Sequence, residues 1–295
     1  MTARHTPSYL MQRLAAAATH PKKRFGQNFL VDLNLIERIA TTAELDRRDV
    51  VLEVGTGAGS LTMELAKAAA AVVTVEIDTT LQRLAGEELA EFTNVVLIGV
   101  DAMAGKHAVN PDVLSAVAAK LTAVSQARFK LVANLPYNIA TPLMANLLLL
   151  DRPPDRMVVT IQLELAERFA ASPGTKDYGA LSVWLQSQAD VRIVRKLPPH
   201  VFWPRPQVDS AIVDVRLDQE RRATLGNLSA FNDFIHGLFL HRRKKLASQV
   251  AGAAGVTMCN DAVRGLLTEL GIDPDCRAED VPVDRFVALA RRVLA

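Results

Sequence analysis

The sequence predicts an α/β protein in which a doubly wound parallel sheet is followed by a small all-α domain. Two observations lead to this prediction. Between residues 50 and 216, short and nearly continuously apolar segments alternate with helical patterns, and such apolar segments are typical of parallel strands that are covered on both faces. After residue 217 the pattern changes, and from Phe231 onward apolar residues recur at helical spacing.

The predicted elements follow one another in the regular order of an α/β sheet. The strands are expected at residues 50–54, 72–77, 95–100, 129–133 and 157–161, and the intervening helices at 60–70, 80–91, 111–124 and 141–150. Two later strands, at 190–196 and 211–217, are expected to close the sheet with an antiparallel edge. In the helical domain, a helix over 262–270 is predicted to end at Gly271, and a last helix covers 284–294.

Composition and charge exclude several classes of protein. The chain has 295 residues, of which 49% are hydrophobic and 22% are charged, as in globular domains and unlike disordered or collagen-like chains. The longest apolar run, near residues 143–150, is far short of the ~20 residues that a membrane span needs. Cys259 and Cys276 cannot form a disulfide framework, and we expect no metal site because Cys and His lack zinc-site spacing.

The first 24 residues form a basic segment, with Arg4, Arg13, Lys22, Lys23 and Arg24 and without an acidic residue. We predict a flexible basic extension over residues 1–21, a first domain over 22–221 and a helical domain over 222–295. A segment that is rich in arginine and poor in acid can also be an organellar transit peptide. We expect a cytoplasmic protein and keep organellar import as the lesser alternative.

A glycine-rich loop follows the first predicted strand. Gly55, Gly57 and Gly59 lie between that strand and a helix, where glycine lets the backbone turn tightly and approach a ligand. The spacing is G-x-G-x-G, whereas the dinucleotide fingerprint is G-x-G-x-x-G. The loop therefore gives weak evidence against a cofactor that contains a pyrophosphate.

Acidic residues stand at the ends of the next two strands. Glu76 lies 19 positions after Gly57, which is the distance at which an acid accepts hydrogen bonds from ribose hydroxyls. Asp101, at the end of the third strand, can accept a hydrogen bond from an adenine amino group. Since S-adenosylmethionine carries an adenosine without a phosphate, it fits this pattern better than NAD.

The fourth predicted strand ends in Asn134-Leu135-Pro136-Tyr137. The exocyclic amine of a nucleobase is a poor nucleophile because its lone pair is delocalised into the ring. The side-chain oxygen of Asn134 and a carbonyl oxygen at Leu135 or Pro136 could accept its N–H groups, and Tyr137 could stack on a flipped base. The alternative is a strand that ends at a proline, with Tyr137 in the core.

Together these motifs resemble the ribosomal RNA adenine N6,N6-dimethyltransferases of KsgA type. The resemblance extends over about residues 22–295. It covers the segments 22–30 (KKRFGQNFL), the glycine loop, 75–78 (VEID), 101–103 (DAM), 134–143 (NLPYNIATPL) and 201–213 (VFWPRPQVDSAIV). It implies a Rossmann-like sheet of the class I S-adenosylmethionine-dependent methyltransferases, followed by the helical domain.

The resemblance also implies which residues act. Asn28 and Leu30 contact the methyl donor, and Gln27 lies close by. The implied donor site as a whole consists of Gln27, Asn28, Leu30, Gly55, Gly57, Glu76, Asp101 and Asn134. The target adenine is held by Asn134, Leu135, Pro136 and Tyr137, with Phe202 on its other face.

The implied reaction is dimethylation of N6 on two adjacent adenosines near the 3′ end of small-subunit ribosomal RNA. The donor is S-adenosylmethionine, the product is S-adenosylhomocysteine, and no metal is needed. The expected partners are this RNA and the immature small subunit, with no membrane, and we expect a monomer. The alternatives are a resistance methyltransferase acting on large-subunit RNA, a non-catalytic assembly or transcription factor, and an NAD-dependent dehydrogenase, which the glycine spacing disfavours.

Basic residues that could bind the phosphates of an RNA backbone lie in three clusters. They are residues 22–24, the group Arg192, Arg195 and Lys196, and residues 241–245, which are predicted to continue the helix that begins near Phe231. Neutralising phosphates with such residues makes binding depend on salt. We expect the helical domain to dock the RNA, although a run of charge is often only a solvated surface.

Overall fold

The structure is a computed structural model that describes residues 7–17, 20–22, 25–241 and 243–294. The chain forms two compact units. The first contains the described residues of Met1–Ala166 together with Ile193–Val215, and the second contains Glu167–Arg192 and the described residues from Arg216 onward. The sequence placed residues 167–192 in the first domain, whereas here they group with the C-terminal helices.

Among the described residues, seven strands form one sheet. Their bounds are β2 Asp49–Val54, β3 Ala71–Val75, β4 Val95–Ile98, β5 Arg128–Asn134, β6 Arg156–Gln162, β7 Ala189–Leu197 and β9 Ser210–Leu217. They lie in the order β4-β3-β2-β5-β6-β9-β7, and the pairs β2–β3, β2–β5, β3–β4 and β5–β6 are parallel. The order reverses beside β2, so the ends of β2 and β5 meet at the switch point where open α/β sheets bind ligands.

Helices follow the strands of the first unit. They are α1 Pro7–Ala16, α2 Leu33–Thr42, α3 Ser60–Ala68, α4 Thr79–Leu89, α5 Pro111–Ala123 and α6 Ala140–Leu147, and α7 Leu163–Phe169 follows β6 directly. A two-stranded ribbon pairs β1 (Phe29–Leu30) with β8 (Phe202–Trp203) in antiparallel register, with Leu30 opposite Phe202. A short 3-10 helix over Pro199–Val201 leads into this ribbon.

The second unit is helical. Its helices are α8 Ala180–Gln186, α9 Gln219–Ala223, α10 Leu228–Phe239, α11 Leu246–Ala251, α12 Asn260–Glu269 and α13 Val283–Val293, with a 3-10 turn at Ala278–Asp280. Aromatic rings fill its interior: Trp184 packs on Phe231, and Phe239 packs on Phe286. The end of α12 is as predicted, since Gly271 has φ +69° and the N–H of Ile272 returns to the carbonyl of Leu267.

Burial explains why the central strands form. Every residue of β2 is buried, and Val50, Val51 and Leu52 are 0% exposed, as expected of a strand with helices on both faces. The charged Asp49 at its start is paired with Lys130 at 3.0 Å and Arg128 at 2.8 Å. The prediction of an α/β protein with a parallel sheet is confirmed.

The N-terminal segment differs from the prediction. The sequence predicts a flexible segment there, but residues 7–16 form α1, because Leu10 and Leu14 lie four residues apart and are both buried. Within the described part of the chain, we find no helix with the length and apolar character that crossing a membrane requires.

Candidate active site

A cavity of about 260 Å³ opens at the carboxyl ends of β2, β3 and β5. It gathers residues that the sequence places far apart. The sequence-predicted site residues on its wall are Gln27, Asn28, Gly55, Gly57, Glu76, Asp101, Asn134, Leu135 and Pro136. We call this the main cavity.

The glycine loop between β2 and α3 approaches two other segments closely. Gly55 has φ +89°, and a Cβ atom there would lie 3.2 Å from Cδ of Pro136. Gly57 has φ +58°, and its Cβ atom would lie 3.2 Å from the ring of Phe29. Both the left-handed backbone and the lack of space favour glycine at these two positions.

Glu76 follows β3 and is 5% exposed on the wall of the main cavity. Its Oε2 accepts the N–H of Gly57 at 2.9 Å, and its Oε1 accepts the N–H of Asp78 at 2.9 Å. Burial raises the pKa of Glu76, although these backbone hydrogen bonds oppose the shift. Each carboxylate oxygen has a second lone pair, so the group can still accept hydrogen bonds from a ligand's hydroxyl groups.

Asp101 follows β4 and lies at the exposed side of the main cavity. Its Oδ1 accepts the N–H of Met103 at 2.9 Å, which fixes the carboxylate in a short turn. The side chain of Asn110 donates to the backbone carbonyl of Asp101 at 2.9 Å. These contacts hold an acceptor at the rim of the cavity.

The loop after β5 begins at Asn134. Nδ2 of Asn134 donates to the carbonyl oxygen of Asn28 at 2.8 Å, so the side-chain oxygen is the atom left to accept from a ligand. The carbonyl of Pro136 accepts the N–H of Ile139 at 3.1 Å. The sequence offers the carbonyl oxygens of Leu135 and Pro136 as acceptors for a nucleobase amine. The one at Pro136 already accepts this hydrogen bond from Ile139.

Three of the predicted site residues lie elsewhere. Leu30, Tyr137 and Phe202 are not among the described residues that line the main cavity. The hydroxyl of Tyr137 is 2.6 Å from Oγ of Ser210, and burial raises its pKa against the effect of that hydrogen bond. Phe202 is 3% exposed in the core, opposite Leu30 in the β1–β8 ribbon.

A second, smaller cavity of about 60 Å³ adjoins the first. Its wall includes Leu30, and it shares with the main cavity Phe29, Gly55, Gly57 and Asn134. Glu53, on the same wall, is fully buried, and its Oε2 accepts the hydroxyls of Thr62 and Thr74 at 2.6 Å each. Burial raises the pKa of Glu53 to about 7, against the effect of these two hydrogen bonds.

Glu53 and Asp78 are not among the site residues that the sequence predicts. Asp78 accepts hydrogen bonds from Lys22 Nζ at 2.8 Å and Gln27 Nε2 at 3.2 Å, and it caps α4 through the N–H of Thr80. Burial opposes its ionisation, but the hydrogen bonds from Lys22 and Gln27 outweigh burial and lower its pKa. Its position two residues after Glu76, just before a helix, was the available signal.

The basic clusters have different surroundings. Lys22 is paired with Asp78, and Lys23, Arg24 and Arg242 lie outside the described residues. Arg195 is exposed. The sequence predicts that residues 241–245 continue α10, but α10 ends at Phe239 and the N–H of Leu246 bonds to the carbonyl of Cys276. Among the described residues that follow α10, the N–H of Lys244 returns to the carbonyl of His241 in a turn, Arg243 and Lys244 are exposed, and Lys245 pairs with Asp275 at 3.1 Å.

Comparison with known proteins gives the family. The sequence profile described as "Ribosomal RNA adenine dimethylase" matches residues 18–293. The chain belongs to the ribosomal RNA adenine dimethylase family. Proteins called "Ribosomal RNA small subunit methyltransferase A" from Pediococcus pentosaceus and Clostridioides difficile are 39% and 37% identical to it. The alignments cover 92% and 91% of this chain and 89% of each relative.

Solved structures show the same fold. A dimethyladenosine transferase from Plasmodium falciparum has a TM-score of 0.71 at 22% identity, covering 88% of this chain and 94% of its own. The 23S rRNA methyltransferase ErmE has a TM-score of 0.66 at 26% identity, covering 90% and 99%. As an adenine dimethylase family member, the protein is an S-adenosylmethionine-dependent methyltransferase, and the dehydrogenase alternative is not favoured.

Proposed function

We propose that this protein dimethylates N6 of two adjacent adenosines near the 3′ end of small-subunit ribosomal RNA, using S-adenosylmethionine, during ribosome biogenesis. The observation that carries the proposal is the main cavity, where Glu76, Asp101 and Asn134 surround one space at the switch point of the sheet. The family and the names of the bacterial relatives supply the RNA and the reaction class.

The residues of the main cavity suit the methyl donor. Each carboxylate oxygen of Glu76 accepts one backbone N–H, from Gly57 or Asp78, and has a second lone pair that can accept a hydrogen bond from a ribose hydroxyl. Asp101 can accept a hydrogen bond from the adenine amino group. Gly55 leaves room for the methionine part beside the glycine loop. When bound, S-adenosylmethionine supplies an electrophilic methyl group on a positively charged sulfur.

The loop after β5 is proposed to hold the target adenine. The side-chain oxygen of Asn134 and the carbonyl oxygen of Leu135 would accept the two N–H bonds of the amine, which frees its lone pair for attack. Acceptors fixed before the reaction stabilise the positive charge that develops on this nitrogen. Pro136 has no N–H, and the contact of its carbonyl with Ile139 keeps the loop rigid.

Tyr137 and Phe202 are proposed to enclose the base. The hydrogen bond between Tyr137 and Ser210 fixes the direction of the phenol and so of the ring that would stack on the adenine. Phe202 is buried and pairs with Leu30 in the β1–β8 ribbon, and it is proposed to pack on the other face of the base.

The rest of the chain is proposed to bring the RNA to this site. In the proposed division the catalytic domain covers 22–221, with residues 167–192 grouped in space with the C-terminal helices, and the parts outside it are the N-terminal segment 1–21 and the helical RNA-docking domain 222–295. The exposed Arg243 and Lys244 would neutralise phosphates of the RNA. The proposed partner is the immature small ribosomal subunit, and the protein would act as a monomer in the cytoplasm.

Methyl transfer to defined ribosomal particles tests the proposal. Small and large subunits from cells that lack this protein are incubated with it and with tritiated S-adenosylmethionine, and the RNA is digested for mass spectrometry of its nucleosides. We expect N6,N6-dimethyladenosine in the small-subunit RNA alone. Label in the large-subunit RNA alone would favour the resistance methyltransferase, and binding of S-adenosylhomocysteine without transfer to either RNA would favour a non-catalytic factor.

A further inference from the structure

The N-terminal helix α1 lies on α4, the helix that begins three residues after Glu76. Leu10 and Leu14 are 7% and 2% exposed and form one apolar cluster with Leu81 and Leu84 of α4. A helix of ten residues is marginal in water on its own. The contact with α4 therefore stabilises the helical form of α1.

Polar contacts fix how α1 lies on α4. The hydroxyl of Tyr9 donates to Oε1 of Glu88 at 2.6 Å, and Arg13 bonds to Oε2 of Glu87 at 2.7 Å. These two contacts join the outward side of α4 to successive turns of α1. Together with the two leucines, they set the rotation of α1 about its own axis.

This orientation brings α1 to the smaller cavity. Tyr9 and Leu10 line it, together with Glu53 and Ser60 from the two ends of the glycine loop. The smaller cavity shares Phe29, Gly55, Gly57 and Asn134 with the main cavity. α1 thus supplies the outer wall at the end of the donor site that lies beside the glycine loop.

The same cluster supports the aromatic part of that wall. Phe29, Trp203 and Ala58 pack as partly buried residues on the leucines of α1 and α4. The rings of Phe29 and Trp203 are stacked, with centroids 6.2 Å apart, and the Phe29 ring covers the position where Gly57 lacks a Cβ atom. Loss of α1 would therefore uncover Leu81, Leu84 and the outer side of this stack.

We propose that α1 is a donor-binding element, which by docking on α4 closes the donor site at its glycine-loop end and slows release of S-adenosylmethionine and S-adenosylhomocysteine. Tyr9 and Leu10 would be positioning residues for the methyl-transfer reaction. The inference rests on the proposed placement of the donor in the main cavity. It gives a role to Trp203, through its stack with Phe29, and to the helix formed by residues 7–16.

Two substitutions with the same charge change test the inference in the full-length protein. Leu14→Asp puts a carboxylate into the cluster and should detach α1, whereas Gln12→Asp puts it on the exposed side of the same helix. We expect Leu14→Asp to weaken S-adenosylhomocysteine binding at least ten-fold in calorimetry and to speed its release, followed by tryptophan fluorescence. Gln12→Asp should stay within about two-fold of wild type.

Equal affinities and release rates for Leu14→Asp, Gln12→Asp and wild type would overturn the inference. The variant Glu76→Ala separates the two proposals. If it loses affinity while Leu14→Asp does not, the donor site stands and the role of α1 fails; if neither loses affinity, the placement of the donor fails as well.

A measurement on the wild-type protein does not depend on how Leu14→Asp folds. Hydrogen exchange of the peptide that covers residues 8–17 is followed with and without saturating S-adenosylhomocysteine. We expect slower exchange with the ligand, because a helix that closes over the donor is stabilised by it. Exchange that is identical in both samples would overturn the proposed closure.

Discussion

The side-chain amide of Asn134 donates a hydrogen bond to the carbonyl oxygen of Asn28 at 2.8 Å, across 106 positions of the sequence. This contact ties the loop proposed to hold the target adenine to the segment that lines the main cavity. It also decides the orientation of the amide, since the nitrogen faces Asn28 and the oxygen remains for a ligand. Asn134 therefore contacts the segment on the proposed donor side and also offers its oxygen to the proposed target base.

Replacing Asn134 should affect transfer more than donor binding. Asn134→Ala removes the acceptor for the target amine, and we expect methyl transfer to small-subunit RNA to fall by about 100-fold or more. Affinity for S-adenosylhomocysteine should fall only a few-fold, because the hydrogen bond to Asn28 is removed as well. Asn146→Ala, which removes an amide of the same size on α6, is the control; unchanged turnover in Asn134→Ala would contradict the amine-acceptor role.

Glu76→Gln should weaken donor binding rather than the chemical step. The glutamine side chain has an NH2 group in place of one carboxylate oxygen. Because both oxygens of Glu76 accept a backbone N–H, this NH2 group would face the N–H donor of either Gly57 or Asp78. We expect binding of S-adenosylhomocysteine to weaken by about 10- to 100-fold, as measured by calorimetry. The same change at the exposed Glu91 should have no effect, and full affinity in Glu76→Gln would remove the ribose assignment.

Tyr137 allows its ring and its hydroxyl to be tested separately. Tyr137→Phe removes only the hydrogen bond with Ser210, and we expect methyl transfer within about three-fold of wild type. Tyr137→Ala removes the ring, and stacking of about 1–3 kcal/mol predicts a decrease of roughly 10- to 100-fold in kcat/KM for RNA. Equal activity of the two variants would show that the ring does not stack on the base.

The buried Glu53 should make stability depend on pH. Its pKa is raised from 4.5 to about 7 by burial, so between these values the folded protein binds more protons than the unfolded chain. The free energy of unfolding should therefore fall as pH rises from about 4.5 to 7, by about 3 kcal/mol in all. Urea unfolding of Glu53→Gln across this range should show a smaller fall than wild type, whereas Glu164→Gln, at an exposed position, should match wild type.

The exposed Arg243 and Lys244 should set the salt dependence of RNA binding. For each phosphate that the protein no longer neutralises, the slope of log K against log salt concentration should decrease by about 0.7–0.9. We expect such a decrease for Arg243→Ala and Lys244→Ala when binding to small subunits is measured from about 50 to 200 mM salt. Lys67→Ala removes the same charge from α3 and should leave the slope unchanged; a decrease of the same size there would argue against a specific role of the turn.

The sheet and much of the candidate site could be predicted because their signals are local. The runs that form β2 and β5 are mostly apolar and are buried along nearly all of their length, and parallel strands bring their carboxyl ends to one edge. Residues at or just after the carboxyl ends of strands, such as Glu76, Asp101 and Asn134, could therefore be placed together from the sequence alone.

What could not be predicted depends on contacts between distant segments. Leu10 and Leu14 are too few to distinguish a helix from a tail, and their partner Leu81 lies about 70 positions away. From the sequence, Glu53 is only one residue of a predicted strand. Its role as a buried acceptor depends on the hydroxyls of Thr62 and Thr74, which hydrogen-bond to it. The turn after α10 forms because Leu246 bonds to Cys276 on another segment, which no periodicity in residues 231–245 reveals.

The lack of a Cβ atom at Gly55 limits how the site of this enzyme could be redesigned. A methyl group at this position would lie 3.2 Å from Pro136, so the backbone of the glycine loop and the loop after β5 touch almost directly. In the proposed placement of donor and base, the separation between the sulfur-borne methyl and the attacking nitrogen would be set by main chain against a proline ring rather than by adjustable side chains. Engineering for a bulkier alkyl donor would have to reshape both loops at once.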